Sequence, residues 1–333
     1  MKILFTTENG PTKQIYFPKP TLERLESLGE VTYNPSTEPL TESGLARLVR
    51  DKDVCITHWS CPLFTEAVLA QSDRLRLIAH AAGSVADLVT EAVYRRGIKV
   101  CSANTIMGKY VAEGVLAYML AALRLIPQQA YDLKYRKIWK KRVVESRSLF
   151  GARIGLVGLG TIGRFLLDLL APFGVQIKLY DPYIQPVTLQ ECEFVEMASL
   201  EETLAWGEIV SLHASLTAET HGLLNENNLK LIRDGALLVN TARAAIIDEA
   251  ALLAELRKGR FQAILDVYET EPLPIDHPLR ELDNVILMPH AAGLAARDQM
   301  TRAVIDEIER FSLGEPLQNE IPMERFRMMT KEH

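Results

Sequence analysis

Cysteine is scarce, with four residues in a chain of 333, at Cys55, Cys61, Cys101 and Cys192. None sits in a CxxC pair and no cysteine–histidine spacing suits zinc, so nothing points to a disulfide framework or a metal site. Four reduced thiols in the cytoplasm are the expectation. An excess of positive charge is also missing, since 37 Lys and Arg face 43 Asp and Glu for a net charge of −6. That leaves no general field to hold nucleic acid or an anionic membrane. The basic stretch 134–142 is short and reads as a solvated helix face. Long hydrophobic runs are lacking too. Met1-Lys2-Ile3-Leu4-Phe5 is too short for a signal-peptide core. The most apolar long stretch, 115–126, carries Arg124, is flanked by Glu113 and is too short to span a bilayer. No low-complexity tract, heptad array or repeat of 20–50 residues is visible.

What is present is an ordinary globular composition, 48% hydrophobic and 24% charged, in a length that suits about two domains. Short runs of Val, Ile and Leu alternate with helical patterns. Strands are expected at 2–6, 31–34, 54–58, 75–80 and 99–102, with helices near 21–28, 41–50, 65–70 and 85–95. Such alternation points to an α/β fold with parallel, doubly wound sheets, and runs apolar throughout suit strands buried on both faces. A helix at 109–125 is closed by Pro127, and a more polar segment follows to about residue 149. The alternation then restarts, with strands at 153–157, 176–180, 209–213, 237–240, 263–266 and 285–288 and helices at 161–171, 200–206, 227–232 and 249–258. A last helix at 295–311 cannot form a domain alone, so the tail is expected to return to the first domain. This predicts one domain from 1–103 plus 292–333 and another from 104–291.

Gly158-Leu159-Gly160-Thr161-Ile162-Gly163 matches GxGxxG between the apolar strand 153–157 and an amphipathic helix. Gly158 allows the tight turn, Gly160 lets backbone approach a pyrophosphate, and Gly163 lets helix pack on strand. The helix N-terminus then offers N–H groups to the phosphates. Eighteen residues past Gly163, Asp181 ends the next strand, where an acid accepts from the adenosine ribose hydroxyls. A carboxylate there repels a 2′-phosphate, and 182–187 holds no Arg or Lys, so NAD is favoured over NADP.

Three later strands end in chemically capable groups: Asn240-Thr241-Ala242-Arg243, Asp266-Val267-Tyr268-Glu269-Thr270-Glu271-Pro272, and Pro289-His290-Ala291-Ala292-Gly293. In open α/β sheets ligands bind outside the carboxyl ends of strands, where the glycine turn also lies. Reduction of a 2-oxo acid needs a hydride at carbon and a proton at oxygen. Arg243 can hold a carboxylate and polarise a carbonyl, His290 can move the proton, and Glu271 beside it can stabilise the imidazolium.

With these motifs, and Ser211-Leu212-His213, the sequence resembles the D-isomer-specific 2-hydroxyacid dehydrogenase family over most of its length, most strongly from Val111-Ala112-Glu113 to Gly293. The resemblance implies a Rossmann NAD-binding domain, a flavodoxin-like substrate domain, and an active site in a cleft that closes over NAD. It implies Arg243 as the substrate-binding arginine, His290 as acid/base and Glu271, rather than Glu269, as its partner. It gives Asp266 to the nicotinamide carboxamide, Thr161 and Ile162 to the pyrophosphate, and residues 213–216, beginning at His213, to the adenosine. Gly158, Gly160, Asp181, Thr241, Ala242 and Gly293, with Arg243 and His290 themselves, complete the expected cofactor contacts. It further implies a homodimer built mainly on the cofactor domain, with the helix 111–125 central.

The expected substrate is a small 2-oxo or 2-hydroxy acid of D stereochemistry. Its carboxylate would meet the loop Ala81-Ala82-Gly83-Ser84, whose small residues let backbone N–H groups face an anion. Trp59, in His58-Trp59-Ser60-Cys61, either walls the pocket or fills the domain core. No Arg or Lys occurs from 56 to 63, which argues against a phosphorylated substrate. Three departures stand out. Ala244 follows Arg243 where the family usually has glycine, Ser215 stands where proline is common, and Val85-Ala86-Asp87 replaces a more usual aspartate-bearing turn. His58, His80 and His221 are read as structural. The competing class is an NAD(H)-sensing corepressor-like binding protein on the same fold, which should add a peptide-binding groove and extended tails; the sequence offers no long disordered tail. A formate dehydrogenase would replace Glu271 by an amide.

Overall fold

In the computed structural model, residues 1–139, 145–185 and 192–329 are described. Residues 140–142 of the basic stretch, 186–187 after Asp181 and 330–333 of the expected first domain lie outside them. The chain divides into one unit of Met1–Gly108 with Leu294–His333 and a second of Lys109–Gly293. The helix Asn104–Leu123 begins in the first and continues in the second. Its first turn belongs to the first unit because Met107 packs on Gly83, where a Cβ would fall 2.4 Å from the Met107 Cε.

The first unit is built on β1 (Lys2–Phe5), β2 (Glu30–Tyr33), β3 (Val54–Thr57), β4 (Leu77–His80) and β5 (Lys99–Ser102). All pair in parallel, in the order β2-β1-β3-β4-β5, which is the flavodoxin-like order. β3 and β4 are buried at every position, as strands covered on both faces must be. Thr41 and Thr65 accept from Gly44 N–H and Val68 N–H, and so start the helices Glu42–Leu48 and Glu66–Leu69. The helix Arg297–Leu313 returns to this unit and buries Met300, Val304, Ile305 and Ile308. Beyond it, Asn319 and Ile321 exchange backbone hydrogen bonds with Ser102 and Val100 on β5.

The second unit carries β6 (Arg153–Val157), β7 (Gln176–Tyr180), β8 (Val195–Met197), β9 (Ile209–Leu212), β10 (Leu237–Asn240), β11 (Gln262–Leu265) and β12 (Val285–Leu287). They form one parallel sheet in the order β12-β11-β10-β9-β6-β7-β8. Counted from β6, this is the 3-2-1-4-5-6 Rossmann order with a seventh strand beyond the sixth. The order reverses between β6 and β9, so the loops after those two strands flank the crevice where such folds take ligands. Ser199 and Glu202 form a reciprocal capping box on the helix Leu200–Trp206. That helix lies so close to β6 that a Cβ on Gly155 would sit 2.3 Å from the Thr203 carbonyl oxygen.

Several elements differ from the sequence expectation for identifiable reasons. No helix spans 85–95. Leu88 accepts from Phe64 N–H, Thr90 Oγ1 donates to the Phe64 carbonyl, and the helix starts only at Glu91. The long helix runs Asn104–Leu123; two residues on, Leu125 turns the chain in the left-handed region (φ 53), and Pro127 lies in the first turn of the next helix, Ile126–Tyr131. Because it starts early, the long helix has the length and composition of a bilayer span. Here Ala112, Val115, Met119 and Ala122 are buried along one stripe, and Gly114 packs against the Ala292 backbone. The helix expected at 227–232 is a single tight turn, Leu229–Leu231. The strand Val195–Met197 and the helix Pro11–Tyr16 are not anticipated by the pattern.

Candidate active site

Gly158 follows β6 at φ 89, a backbone region open chiefly to glycine. A Cβ there would fall 2.5 Å from Ala214 N, so the turn also lets the loop after β9 lie directly against it. Gly163 faces the Gly158 carbonyl oxygen at 3.0 Å from its would-be Cβ, the helix-on-strand contact this position allows. Gly160 is different. A Cβ there would meet nothing nearer than the His213 carbonyl oxygen at 3.9 Å, so protein packing does not require glycine at this position. The requirement fits close approach of a phosphate to the backbone at the start of the helix Thr161–Leu170.

Asp181 follows β7 with both carboxylate oxygens oriented by backbone. Leu159 N–H donates to Oδ2 at 2.7 Å and Tyr183 N–H to Oδ1 at 2.9 Å. Each oxygen keeps further lone-pair capacity for a hydroxyl donor. His213 follows β9 and is buried, its Nε2 2.8 Å from Ser211 Oγ and its Nδ1 without a protein partner. Thr241 Oγ1, after β10, is likewise buried without a partner. Two buried polar atoms without a protein partner, after β9 and β10, are costly unless a ligand or water completes them. Together with Gly160 and Asp181 they fit a dinucleotide with an unsubstituted ribose.

Arg243 lies one turn beyond β10, and the turn is built by Asn240. Its side chain accepts from Ala242 N–H at 3.0 Å and donates to the Arg243 carbonyl at 3.1 Å. Arg243 Nη1 donates to the Ala242 carbonyl at 2.8 Å, which turns the guanidinium back along its own loop. Among the two candidate acids after β11, Glu271 reaches His290. Its Oε2 is 2.8 Å from Nδ1, while Oε1 accepts from Tyr268 N–H at 3.0 Å. The pair opens onto a recess of about 570 Å³ lined by Tyr268, Pro272, Leu273, Arg280 and Met288.

His290 adopts φ 50, a strained conformation for a residue with a side chain. Asp266 explains how it is held. Ala291 N–H and Ala292 N–H donate to Oδ1 and Oδ2 at 2.8 and 3.0 Å, and Tyr118 Oη approaches Oδ1 at 3.4 Å. This buried carboxylate therefore staples the loop just past the histidine. Tyr268, which the sequence left without a role, ties β11 to β12 by placing its hydroxyl between the Leu265 and Met288 carbonyls, 2.9 and 2.8 Å away, to share its one proton. Burial pushes its phenol up to about 12, so it stays a donor. Tyr118, Tyr268 and Ser211 carry no sequence signal beyond their place in or near the motifs.

In the first unit, Ala81, Ala82 and Gly83 are buried, and Ser84 accepts from Ala86 N–H. Trp59 is 48% exposed, edge-on to His58 and Tyr16, and does not fill the core. His80 Nδ1 lies 3.0 Å from Thr57 Oγ1, and burial holds it down at about 3 and His58 at about 4. Burial lowers His213 to about 4 as well. All three are neutral in the fold and protonate more readily once unfolded, near 6.5. The stability they support is complete above pH 6.5 and is lost as pH falls toward 4, each site contributing on the order of 3 kcal/mol. Urea melts from pH 7 to 4 should therefore show a steep loss that His80→Gln reduces; an unchanged slope in that variant would refute the assignment. The four cysteines are free, and no three metal-ligating side chains converge among the described residues.

Residues 116–292 match the family described as D-isomer specific 2-hydroxyacid dehydrogenase, NAD binding domain. A D-3-phosphoglycerate dehydrogenase of Methanocaldococcus jannaschii is 34% identical over 90% of this chain and 56% of its own length. The chain thus spans about half the length of the phosphoglycerate dehydrogenases it matches, which include mycobacterial proteins. A glyoxylate reductase of Korarchaeum cryptofilum is 30% identical over 90% of this chain and 91% of its own. A crystal structure of a Thermus thermophilus protein superposes with a TM-score of 0.79 at 30% identity, covering 97% of this chain and 100% of that one.

Proposed function

This chain belongs to the D-isomer-specific 2-hydroxyacid dehydrogenase family, and from that premise we propose that it is an NAD-dependent oxidoreductase acting on a small D-2-hydroxy acid and its 2-oxo counterpart. The observation that carries the reading is the Glu271–His290 pair at 2.8 Å, on loops after neighbouring strands, with Arg243 after the next strand in the sheet. When bound, the dinucleotide supplies or accepts a hydride. Gly158, Gly160, Thr161, Ile162 and Asp181 would hold its phosphates and adenosine ribose, with His213, Thr241, Ala242 and Gly293 bordering the rest.

The protein's own groups then do three things. Arg243 pairs with the acid's carboxylate and draws electron density from the neighbouring carbonyl oxygen. His290 has Nδ1 committed to Glu271, so Nε2 gives the carbonyl oxygen its proton in reduction and takes it back in oxidation. Glu271, oriented by Tyr268 N–H, stabilises the imidazolium. Asp266 is bonded to the Ala291 and Ala292 backbone, so we read it first as the brace of the histidine loop and second as a nicotinamide contact. We assign a supporting role on the carboxylate to the loop of Ala82, Gly83 and Ser84, and the acid's side chain to exposed Trp59.

The test is NADH oxidation by the purified chain over glyoxylate, hydroxypyruvate, pyruvate, phenylpyruvate and branched 2-oxo acids, beside phosphohydroxypyruvate. Turnover is expected with one or more unphosphorylated acids and to be poor with the phosphorylated one, since 56–63 offers no cation. Tight NADH binding without turnover of any acid would favour a dinucleotide-sensing protein instead. We also propose a homodimer. Tyr131, Tyr135 and Trp139 are exposed after the helix Asn104–Leu123, and light scattering should return twice the 37.3 kDa chain mass.

A further inference from the structure

We propose that Glu219, held in place by Tyr183, is a second carboxylate beside the adenosine ribose and selects against a 2′-phosphorylated dinucleotide. The inference rests on the cofactor reading but concerns residues that reading leaves unassigned. Asp181 marks the ribose hydroxyls by its place at the end of β7. Two residues on, Tyr183 donates its amide to Asp181 and its phenol to the Glu219 carboxylate. Glu219 comes from the loop after β9, the loop whose start at Ala214 lies against Gly158. The Tyr183–Glu219 bond therefore links the two loops that border the adenosine side.

The turn bearing Glu219 is fixed rather than loose. Thr217 N–H donates to Thr220 Oγ1 at 2.8 Å, Thr220 Oγ1 donates to the Ser215 carbonyl at 2.6 Å, and His221 N–H closes on the Thr217 carbonyl at 3.0 Å. Neither 181–185 nor 213–221 contains a lysine or arginine to offset the charge. A 2′-phosphate is close to dianionic at neutral pH. A carboxylate within about 6 Å of a dianion in water weakens its binding by up to about tenfold at low ionic strength, and less as salt screens the pair, in addition to what Asp181 does.

The experiment is calorimetric titration of the whole chain with NADH and NADPH, and with 5′-AMP and adenosine 2′,5′-bisphosphate as probes of the ribose alone. In low-salt buffer Glu219→Gln should tighten NADPH and the bisphosphate severalfold, up to about tenfold, while NADH and AMP stay within about twofold, and added salt should shrink the difference. Tyr183→Phe, which releases the carboxylate without removing it, should move the same ratio by a smaller amount. A Glu219→Gln protein with wild-type melting temperature and an unchanged NADPH:NADH affinity ratio would overturn the inference and leave the cofactor reading standing. Failure of the wild type to bind any of the four would remove both.

Discussion

His290→Ala is expected to lower kcat about a thousandfold in either direction. General acid–base groups contribute roughly 10²–10⁴ in rate, and this imidazole is placed by a set of linked restraints. Glu271 binds Nδ1, Asp266 clamps the two residues that follow, and Tyr268 fixes Glu271 from its other oxygen. The loss corresponds to about 4 kcal/mol of transition-state stabilisation. Glu271→Gln keeps a hydrogen-bonding side chain but removes the charge opposite the imidazolium, so a smaller loss, about tenfold to a hundredfold, is expected. Stopped-flow single-turnover reduction separates these effects from product release. A His290→Ala enzyme within tenfold of wild type would show that another group moves the proton.

Arg243→Ala should lower kcat/KM by a comparable factor, with both kcat and KM affected. A guanidinium that pairs with the substrate carboxylate acts in the ground state, and its pull on the carbonyl grows as charge develops on oxygen. Charge-assisted hydrogen bonds of this kind are worth about 1.5–3 kcal/mol each, and two together give roughly a thousandfold. Arg243→Lys should rescue little, because an ammonium cannot present two parallel N–H groups. Asn240 holds the turn in both variants, so the melting temperature should change little. Unchanged turnover of Arg243→Ala on the best acid would remove Arg243 from the proposed roles.

Both variants target residues legible in the sequence, and the reason is physical. Ile154, Val239 and Ile264 lie on parallel strands buried on both faces, so apolar runs announce the strands and the first polar residue past each run announces a strand end. Ligands gather at such ends, which makes Arg243 and His290 visible without a structure. The arrangement that supports them was much less visible. Asp266 reads equally as a cofactor contact or a turn cap until its two bonds to Ala291 and Ala292 are seen. Tyr118 reaches it across 148 residues of sequence, a separation no local pattern encodes. The helix expected at 85–95 failed for the converse reason. Its apolar spacing was real, but the Leu88 and Thr90 groups found better partners on the backbone of Phe64.

The first unit is interrupted in sequence, with 294–329 completing what 1–108 begins. A ribosome making this chain therefore finishes the contiguous second unit before it releases the helix Arg297–Leu313 and the segment that pairs with Val100 and Ser102. Until then the faces of Met300, Val304 and Ile305 have not arrived, and β5 emerges with an unmatched edge. Vectorial synthesis thus gives the dinucleotide-type unit a head start and leaves residues 1–108 waiting on the segment from 294 onward. Long-range closure of this sort is slow and leaves apolar surface of the first unit open in the interval.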